Sequence, residues 1–246
     1  MDQFQKYADY YDLIYREKDY KKEAEFISQV IKKYSTGKTE TILSLGCGTA
    51  SHDILLAKKG FKILGVDKSK KMIQLAKEKV KKENTDIKFK VADITNFKVS
   101  EKFDFAMAMF NILGYMTENE QMERMLKNVF KFLKKDGLFV FDCWYGPAVL
   151  KSRPEDEEKK ANENIVRKTT QKLDIEKSII DITFEILENN KTKLKETHRM
   201  RFWYLNELEY FLNKNRFELI KVRNFMNLNS KISENSWNIF VIAKKI

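Results

Sequence analysis

The chain predicts an α/β fold, a doubly wound parallel sheet carrying an antiparallel sheet inserted after its fifth strand. Three observations lead there. Short apolar runs at 42–45, 61–66, 87–91, 103–109 and 138–143 alternate with helical patterns, which implies parallel strands joined by right-handed crossovers. The glycine turn Gly46-Cys47-Gly48-Thr49-Ala50 follows the first run at once, and the next two runs lead into acids, Asp67 and Asp93. Beyond Pro147 the apolar period changes to two, as in strands exposed on one face.

Taken in order, residues 21–34 form a helix with Ile27, Val30, Ile31 and Tyr34 on one face. Ile42-Leu43-Ser44-Leu45 is a short buried strand, followed by the glycine turn and a helix from about His52. The strand 61–66 leads to a helix over 69–82, striped by Met72, Ile73, Ala76 and Val80. After the strands 87–91 and 103–109, residues 118–134 give the clearest helix, lined by Met122, Met125, Leu126, Val129, Phe130 and Leu133. Methionines in such a stripe are core packing. The turn Lys135-Asp136-Gly137 introduces the strand 138–143. Residues 155–160 read as a charged loop, and 165–171, 178–185 and 193–203 alternate as strands. A helix at 206–213 and a closing antiparallel hairpin, 217–225 with 237–243, end the chain. No repeat or long linker divides it, so one domain over 1–246 is expected, with about 151–204 as the substrate-side insertion.

Ligands bind such sheets outside the carboxyl ends of the strands. Those ends carry Gly46, Asp67, Asp93, residues 109–115 and residues 142–145. A tight glycine turn lets backbone approach a ligand closely. An acid about 20 residues on can accept two hydrogen bonds from a ribose diol. Asp67 has that place, and Asp93 can receive an adenine amine. The combination describes a site for an adenosine-containing cofactor. A dinucleotide fingerprint has glycines at its first, third and sixth positions. Here Ser51 holds the sixth, and the third small residue is Ala50 at the fifth.

Leu43-Ser44-Leu45-Gly46-Cys47-Gly48-Thr49, taken with Asp67 and Asp93, resembles the strand-loop signature of the class I S-adenosylmethionine (SAM)-dependent methyltransferases. That resemblance implies a Rossmann-like fold, an enzyme that transfers methyl groups, and S-adenosyl-L-methionine as cofactor. It places Asp67 on the ribose and Asp93 and Ile94 at the adenine. Tyr11, Gly46, Cys47, Gly48, His52, Lys68, Met72 and Met109 complete the implied cofactor set. Two positions depart from the family pattern. Ser44 replaces an Asp or Glu, so it hydrogen-bonds the loop but brings no negative charge. Ala50 replaces a glycine, and its methyl is expected to fit at negative φ. His52 is expected to contact the loop or cofactor.

The flanks point to a narrower group. Tyr10-Tyr11-Asp12-Leu13-Ile14-Tyr15, Lys18-Asp19-Tyr20, Glu23-Ala24, Gly48-Thr49-Ala50-Ser51-His52 and residues 109–115 look like bacterial nucleotide-activated (TDP) amino-sugar N-methyltransferases. So do Asp142-Cys143-Trp144-Tyr145-Gly146-Pro147 and residues 198–204. This implies methylation of an amine on a nucleotide-linked sugar. The likeness departs at Asn235-Ser236-Trp237-Asn238, where those enzymes carry a glycine-rich segment with an arginine. The N-terminal aromatic segment is either a lid over the cofactor or a helix packed through Tyr7, Tyr11 and Tyr15. Trp144 and Tyr145 would stack a sugar or base. Tyr15, Arg167, His198 and Arg201 complete the expected substrate set, with Arg167 and Lys168 either meeting a pyrophosphate or standing as solvated surface charge. Tyr115 and Asp142 are the catalytic candidates, accepting or orienting the proton of the amine. Because SAM brings the activation, the protein's work is positioning and exclusion of water.

Composition narrows the partners. With 43% apolar and 34% charged residues, the 246-residue chain has the balance of a globular protein. No run approaches the ~18–20 apolar residues of a membrane span, and residues 1–20 lack a signal-peptide pattern. Two cysteines without framework spacing, Cys47 and Cys143, suit a reducing cytoplasm. His52 and His198 are the only histidines and have no ligand spacing around them, so no metal is expected. The net charge of +11 is mostly lysine on helix surfaces such as Lys77, Lys79, Lys81 and Lys82, and it fits an anionic small-molecule substrate. Nucleic acid is disfavoured, since Asn111-Ile112-Leu113-Gly114 stands where amino-adenine methyltransferases need a proline pair. A monomer or homodimer is expected. Three alternatives remain open here: another small acceptor such as an amino acid or a hydroxyl, an RNA methyltransferase, and a non-catalytic SAM-binding regulator.

Overall fold

The computed structural model describes residues 6–246, so the first five residues of the expected domain lie outside the description. The first strand, β1 (Thr41–Leu45), is buried from Ile42 onward and sits between β2 (Lys62–Asp67) and β4 (Phe103–Ala108), parallel to both. Outside β2 runs β3 (Lys88–Val91), and outside β4 runs β5 (Leu133–Trp144), again parallel. The hairpin of β10 (Phe217–Asn224) and β11 (Asn238–Lys245) adds antiparallel to β5, giving the order β10-β11-β5-β4-β1-β2-β3. Strand order reverses between β1 and β4, which opens the ligand crevice at their carboxyl ends.

Successive strand residues point to opposite faces, and both faces are covered. Leu43 and Leu45 join a core with Met122, Met125, Leu126 and Val129 of α5 (Asn119–Phe132) and Leu208 and Phe211 of α7 (Leu205–Lys214). Ile42 joins the opposite core with Phe26, Ile27 and Val30 of α2 (Tyr20–Tyr34), Ile54 of α3 (Ser51–Ala57) and Ala76 of α4 (Lys70–Lys82). Each such aliphatic side chain contributes about 1.5–3 kcal/mol when removed from water. Local capping sets the helix starts. Asp19 Oδ1 accepts from the Lys22 amide at 3.0 Å and Ser69 Oγ from the Met72 amide at 3.2 Å.

The inserted sheet has the order β6-β7-β8-β9, all antiparallel: β6 (Glu157–Lys160), β7 (Ile165–Asp174), β8 (Ile179–Glu188) and β9 (Lys191–Arg201). It is stitched to the tip of β5, because Trp203 N–H donates to the Trp144 carbonyl and Gly146 N–H to the Trp203 carbonyl, both at 2.9 Å. Three details differ from the sequence expectation. The charged stretch at 155–160 contains the edge strand β6, where charges suit an unpaired edge. The helix over 118–134 ends at Phe132 and passes directly into β5, with Asp136 at φ +60° absorbing the expected turn. A short helix, α6 (Gly146–Lys151), follows Trp144 and Tyr145 and carries Pro147 in its first turn, which its fixed φ suits. No described helix is long and apolar enough to cross a membrane.

Candidate active site

The glycine turn is held by its neighbour strand, since the Gly46 and Cys47 amides donate to the Val66 carbonyl at 2.8 and 3.1 Å. Gly46 takes φ +63° and leaves no room for a Cβ, which would sit 2.3 Å from Ile112 Cδ1. Gly48 also has positive φ. Ala50 corrects the expectation of negative φ: it lies at +63°, a conformation that costs an L-residue about 1–2 kcal/mol. It is fully buried, and its amide donates to the Cys47 carbonyl at 2.9 Å.

Asp67 lies at the end of β2, one carboxylate oxygen on the Gly48 amide at 2.9 Å and the other on the Ser69 amide at 2.8 Å. Burial raises its carboxyl, and the two amides oppose that rise. Asp93 Oδ1 accepts from the amide and hydroxyl of Thr95 at 2.7 and 2.6 Å. Gly46, Asp67, Lys68, Asp93 and Ile94 line one cleft of about 110 Å³. Thr95, Ile112, Tyr115, Met116 and Gln121 close its other side.

A second cavity of about 140 Å³ adjoins it, and Ile112 and Tyr115 line both. The N-terminal helix α1 (Ala8–Ile14) and its flanks bring Tyr7, Tyr11 and Tyr15 to this cavity. The inserted sheet brings Ile182, Phe184 and Met200, and the strand tips bring Phe110, Asp142 and Trp144. Tyr7 stacks on Phe184 with ring centroids 5.1 Å apart, and Tyr15 meets Phe110 edge-on at 5.1 Å. Helix α1 is tied down by Asp9 with Lys71 and by Asp12 with Lys79, both 2.9 Å. Thr49 of the glycine turn also donates to Asp12 at 2.6 Å. Burial raises the Tyr115 hydroxyl well above the usual phenol range, with Tyr15, Glu196 and Asp67 adding to the rise.

The turn between β4 and the short 3-10 helix Ile112–Tyr115 explains Asp142. Phe110 and Asn111 both have positive φ, and their amides donate to the two Asp142 oxygens at 2.6 and 3.0 Å. Burial lifts this carboxyl to about 7, against those two hydrogen bonds. Its oxygens are engaged in holding the turn that presents Ile112 and Tyr115.

Residues 42–137 match the family described as a methyltransferase domain. The match places a methyltransferase domain at these residues, and the chain has the class I methyltransferase fold. Over 57% of the chain and 58% of the relative, it is 27% identical to the dTDP-3-amino-3,4,6-trideoxy-alpha-D-glucopyranose N,N-dimethyltransferase of Streptomyces venezuelae. Matches to the first curated relatives span from 56 to 74% of those proteins' lengths. A solved SAM-dependent methyltransferase from Clostridium acetobutylicum superposes with a TM-score of 0.85 at 21% identity, covering 99% of both chains. A sugar N-methyltransferase from Streptoalloteichus gives a TM-score of 0.75 at 17% identity, over 96% of this chain and 92% of that one. These likenesses extend through the inserted sheet and establish the shared fold.

The other expected residues lie as follows. Tyr11 lines the second cavity instead of the first cleft. Met72 and Met109 are buried in the core, and burial pushes the Cys47 thiol well up. His52 turns to α2 instead of the glycine turn, with Nε2 2.5 Å from Glu23 Oε2. Burial lowers its imidazole, against the rise from Glu23. Burial also raises Glu23, but hydrogen bonds and charge from His52 and Lys18 outweigh it and hold the carboxyl low. Of the expected substrate residues, Tyr15 and Trp144 line the second cavity. Arg167 lies beside it, donating to Tyr15 at 3.3 Å and to Glu157 at 2.8 Å. His198 is fully buried behind Tyr115. Arg201 is committed elsewhere, to Asn119 and Glu207 at 2.7 Å each and over the Trp203 ring at 4.1 Å. Tyr145 pairs through its backbone with Trp203 and Trp237. Among the described residues no cluster of His, Cys, Asp and Glu is arranged to hold a metal.

The sequence reading missed Asp53 of the methyltransferase domain. It is 1% exposed, receives a hydrogen bond from Ser44, and has Oδ1 without a partner among the described residues. Burial raises its carboxyl to about 7, with Asp67 adding to the rise. An acid raised on folding holds its proton to higher pH when folded, so it destabilises increasingly from its unfolded value near 4 up to about 7. Asp53→Asn should therefore flatten that part of the stability–pH curve, by an amount on the order of 4 kcal/mol across the window. Urea denaturation between pH 4 and 8 checks this; an unchanged slope would show that Asp53 ionises freely in the fold.

Proposed function

We propose that the chain transfers a methyl group from SAM to the amine of a nucleotide-linked amino sugar. The observation that carries this reading is the aromatic second cavity, which meets the cofactor cleft at Ile112 and Tyr115. Its flat rings suit a sugar or base. Asp142, the one carboxylate on its wall among the described residues, has both oxygens on backbone amides, so it is not a free anion that would hold an acceptor as its ammonium ion. Arg167 lies beside the cavity in an ion pair with Glu157, and an anionic substrate group would have to take the place of that carboxylate.

SAM, when bound, supplies a methyl group already activated on sulfur. The cleft fits that cofactor: Asp67 retains acceptor capacity for the ribose hydroxyls, Asp93 and Ile94 on the same cleft would hold the adenine, and the turn at Gly46 allows close backbone approach. Helix α1 and the inserted sheet exclude water from the acceptor, and Tyr115 orients its nitrogen. Orientation of this kind supplies ~7–11 kcal/mol in favourable reactions. Mass spectrometry with SAM and a panel of dTDP-amino sugars, beside free amino acids and RNA, tests the reading. A sugar nucleotide heavier by one or two methyl groups is expected. Methylation confined to RNA or amino acids would overturn it.

A further inference from the structure

Tyr115 and His198 are 83 residues apart in sequence, yet Tyr115 Oη lies 2.8 Å from His198 Nδ1. The other ring nitrogen, Nε2, lies 3.1 Å from Glu196 Oε1. Glu196 and His198 are two residues apart on β9, so the strand's period puts them on one face. His198 is wholly enclosed, whereas the Glu196 side chain is 16% exposed. The three side chains thus run from the junction of the two cavities to the surface. With the ring proton on Nε2, toward the Glu196 carboxylate, Nδ1 turns its lone pair to the Tyr115 hydroxyl, and this is the tautomer a relay requires. Around them lie Tyr7 at 6.0 Å and Phe184 at 5.1 Å from the imidazole, ring to ring, with Tyr15, Tyr11 and Asp67 acting on Tyr115.

We propose that Tyr115, His198 and Glu196 form a proton relay that removes the proton from the acceptor nitrogen. The relay rests on the N-methylation reading above. As the nitrogen lone pair bonds to the methyl carbon, the carbon–sulfur electron pair stays on sulfur and the nitrogen becomes cationic. Its N–H proton passes to Tyr115 Oη while the hydroxyl proton of Tyr115 passes to His198 Nδ1. The tyrosine ends neutral, and the proton is held on the imidazolium beside the Glu196 carboxylate, to return through Nδ1 and Tyr115 when the product leaves. The path avoids a buried tyrosinate, which desolvation opposes at this position. It also lets a once-methylated amine lose its proton without leaving the cavity, ready for a second transfer. Tyr115 touches the acceptor; His198 and Glu196 act through it as positioning and proton-accepting groups.

Two measurements test the relay. The chain has two histidines, so nitrogen NMR of the SAM-bound protein resolves the His198 ring without any acceptor present. The Nε2–H tautomer is expected, and an Nδ1–H tautomer would overturn the relay. His198→Asn keeps an acceptor facing Tyr115 but cannot take its proton. With a dTDP-amino sugar as probe, its kcat should fall about 100-fold near neutral pH. The deficit should narrow as pH rises and solvent base takes the proton of the methylated nitrogen, with KM for SAM unchanged and monomethyl product accumulating. Glu196→Gln, partly exposed and isosteric, should move the same pH profile less steeply, and it covers the case in which the buried substitution fails to fold. Variants with the wild-type pH profile and product ratio would remove the relay alone. A wild-type protein that methylates no amine would remove the reading beneath it.

Discussion

Asp67→Ala lowers the affinity for SAM roughly tenfold or more, measured by calorimetry with SAM and its demethylated product. Hydrogen bonds to a charged group contribute ~1.5–3 kcal/mol each, and 1.4 kcal/mol is a factor of about ten in affinity. The same carboxylate also anchors the Gly48 and Ser69 amides, so its loss loosens the turn that faces the ligand. The measurement therefore requires a variant with native circular dichroism. A folded Asp67→Ala protein with unchanged SAM affinity would show that the ribose binds elsewhere.

Asp142→Ala destabilises the fold by a few kcal/mol and abolishes turnover with it. Two amides lose their acceptor, at ~1–3 kcal/mol for each buried group left unpaired. Those amides belong to Phe110 and Asn111, both in left-handed backbone that relies on outside support. The turn carries Ile112 and Tyr115, the residues common to both cavities. A fall in the urea midpoint together with kcat is the expected result. Undiminished stability with lost kcat would instead place Asp142 in the chemistry and refute its anchoring role.

The parallel sheet was legible because its signals are local: a glycine turn after one apolar run, and an acid after each of the next two. Gly46, Asp67, Asp93 and Ile94 come together in one cleft for that reason, since parallel strands bring successive tips side by side. Contacts made across the fold were not legible. Nothing near His198 announces Tyr115, and nothing near His52 announces Glu23, because those pairings depend on how the inserted sheet and α2 dock. Arg201 shows the limit of reasoning by residue type, for its charge is satisfied by Asn119 and Glu207. Ala50 shows another limit: composition alone gives no sign of φ, and here tertiary packing imposes a backbone that the residue disfavours. The edge strand β6 was hidden by its charges, which read as loop although solvent-facing edges favour them.

The two cavities draw their walls from separable stretches of chain. One depends on the parallel strands and the loops at their tips, while the other adds α1 and the inserted sheet to the strand tips at Phe110, Asp142 and Trp144. Specificity for one ligand can thus drift while the other is conserved, through substitutions at positions such as Phe184 or Met200 that leave the first cleft intact. Ile112 and Tyr115 are the exceptions: a substitution at either remodels both chambers at once. Those two positions are therefore the ones at which divergence within this architecture is most constrained.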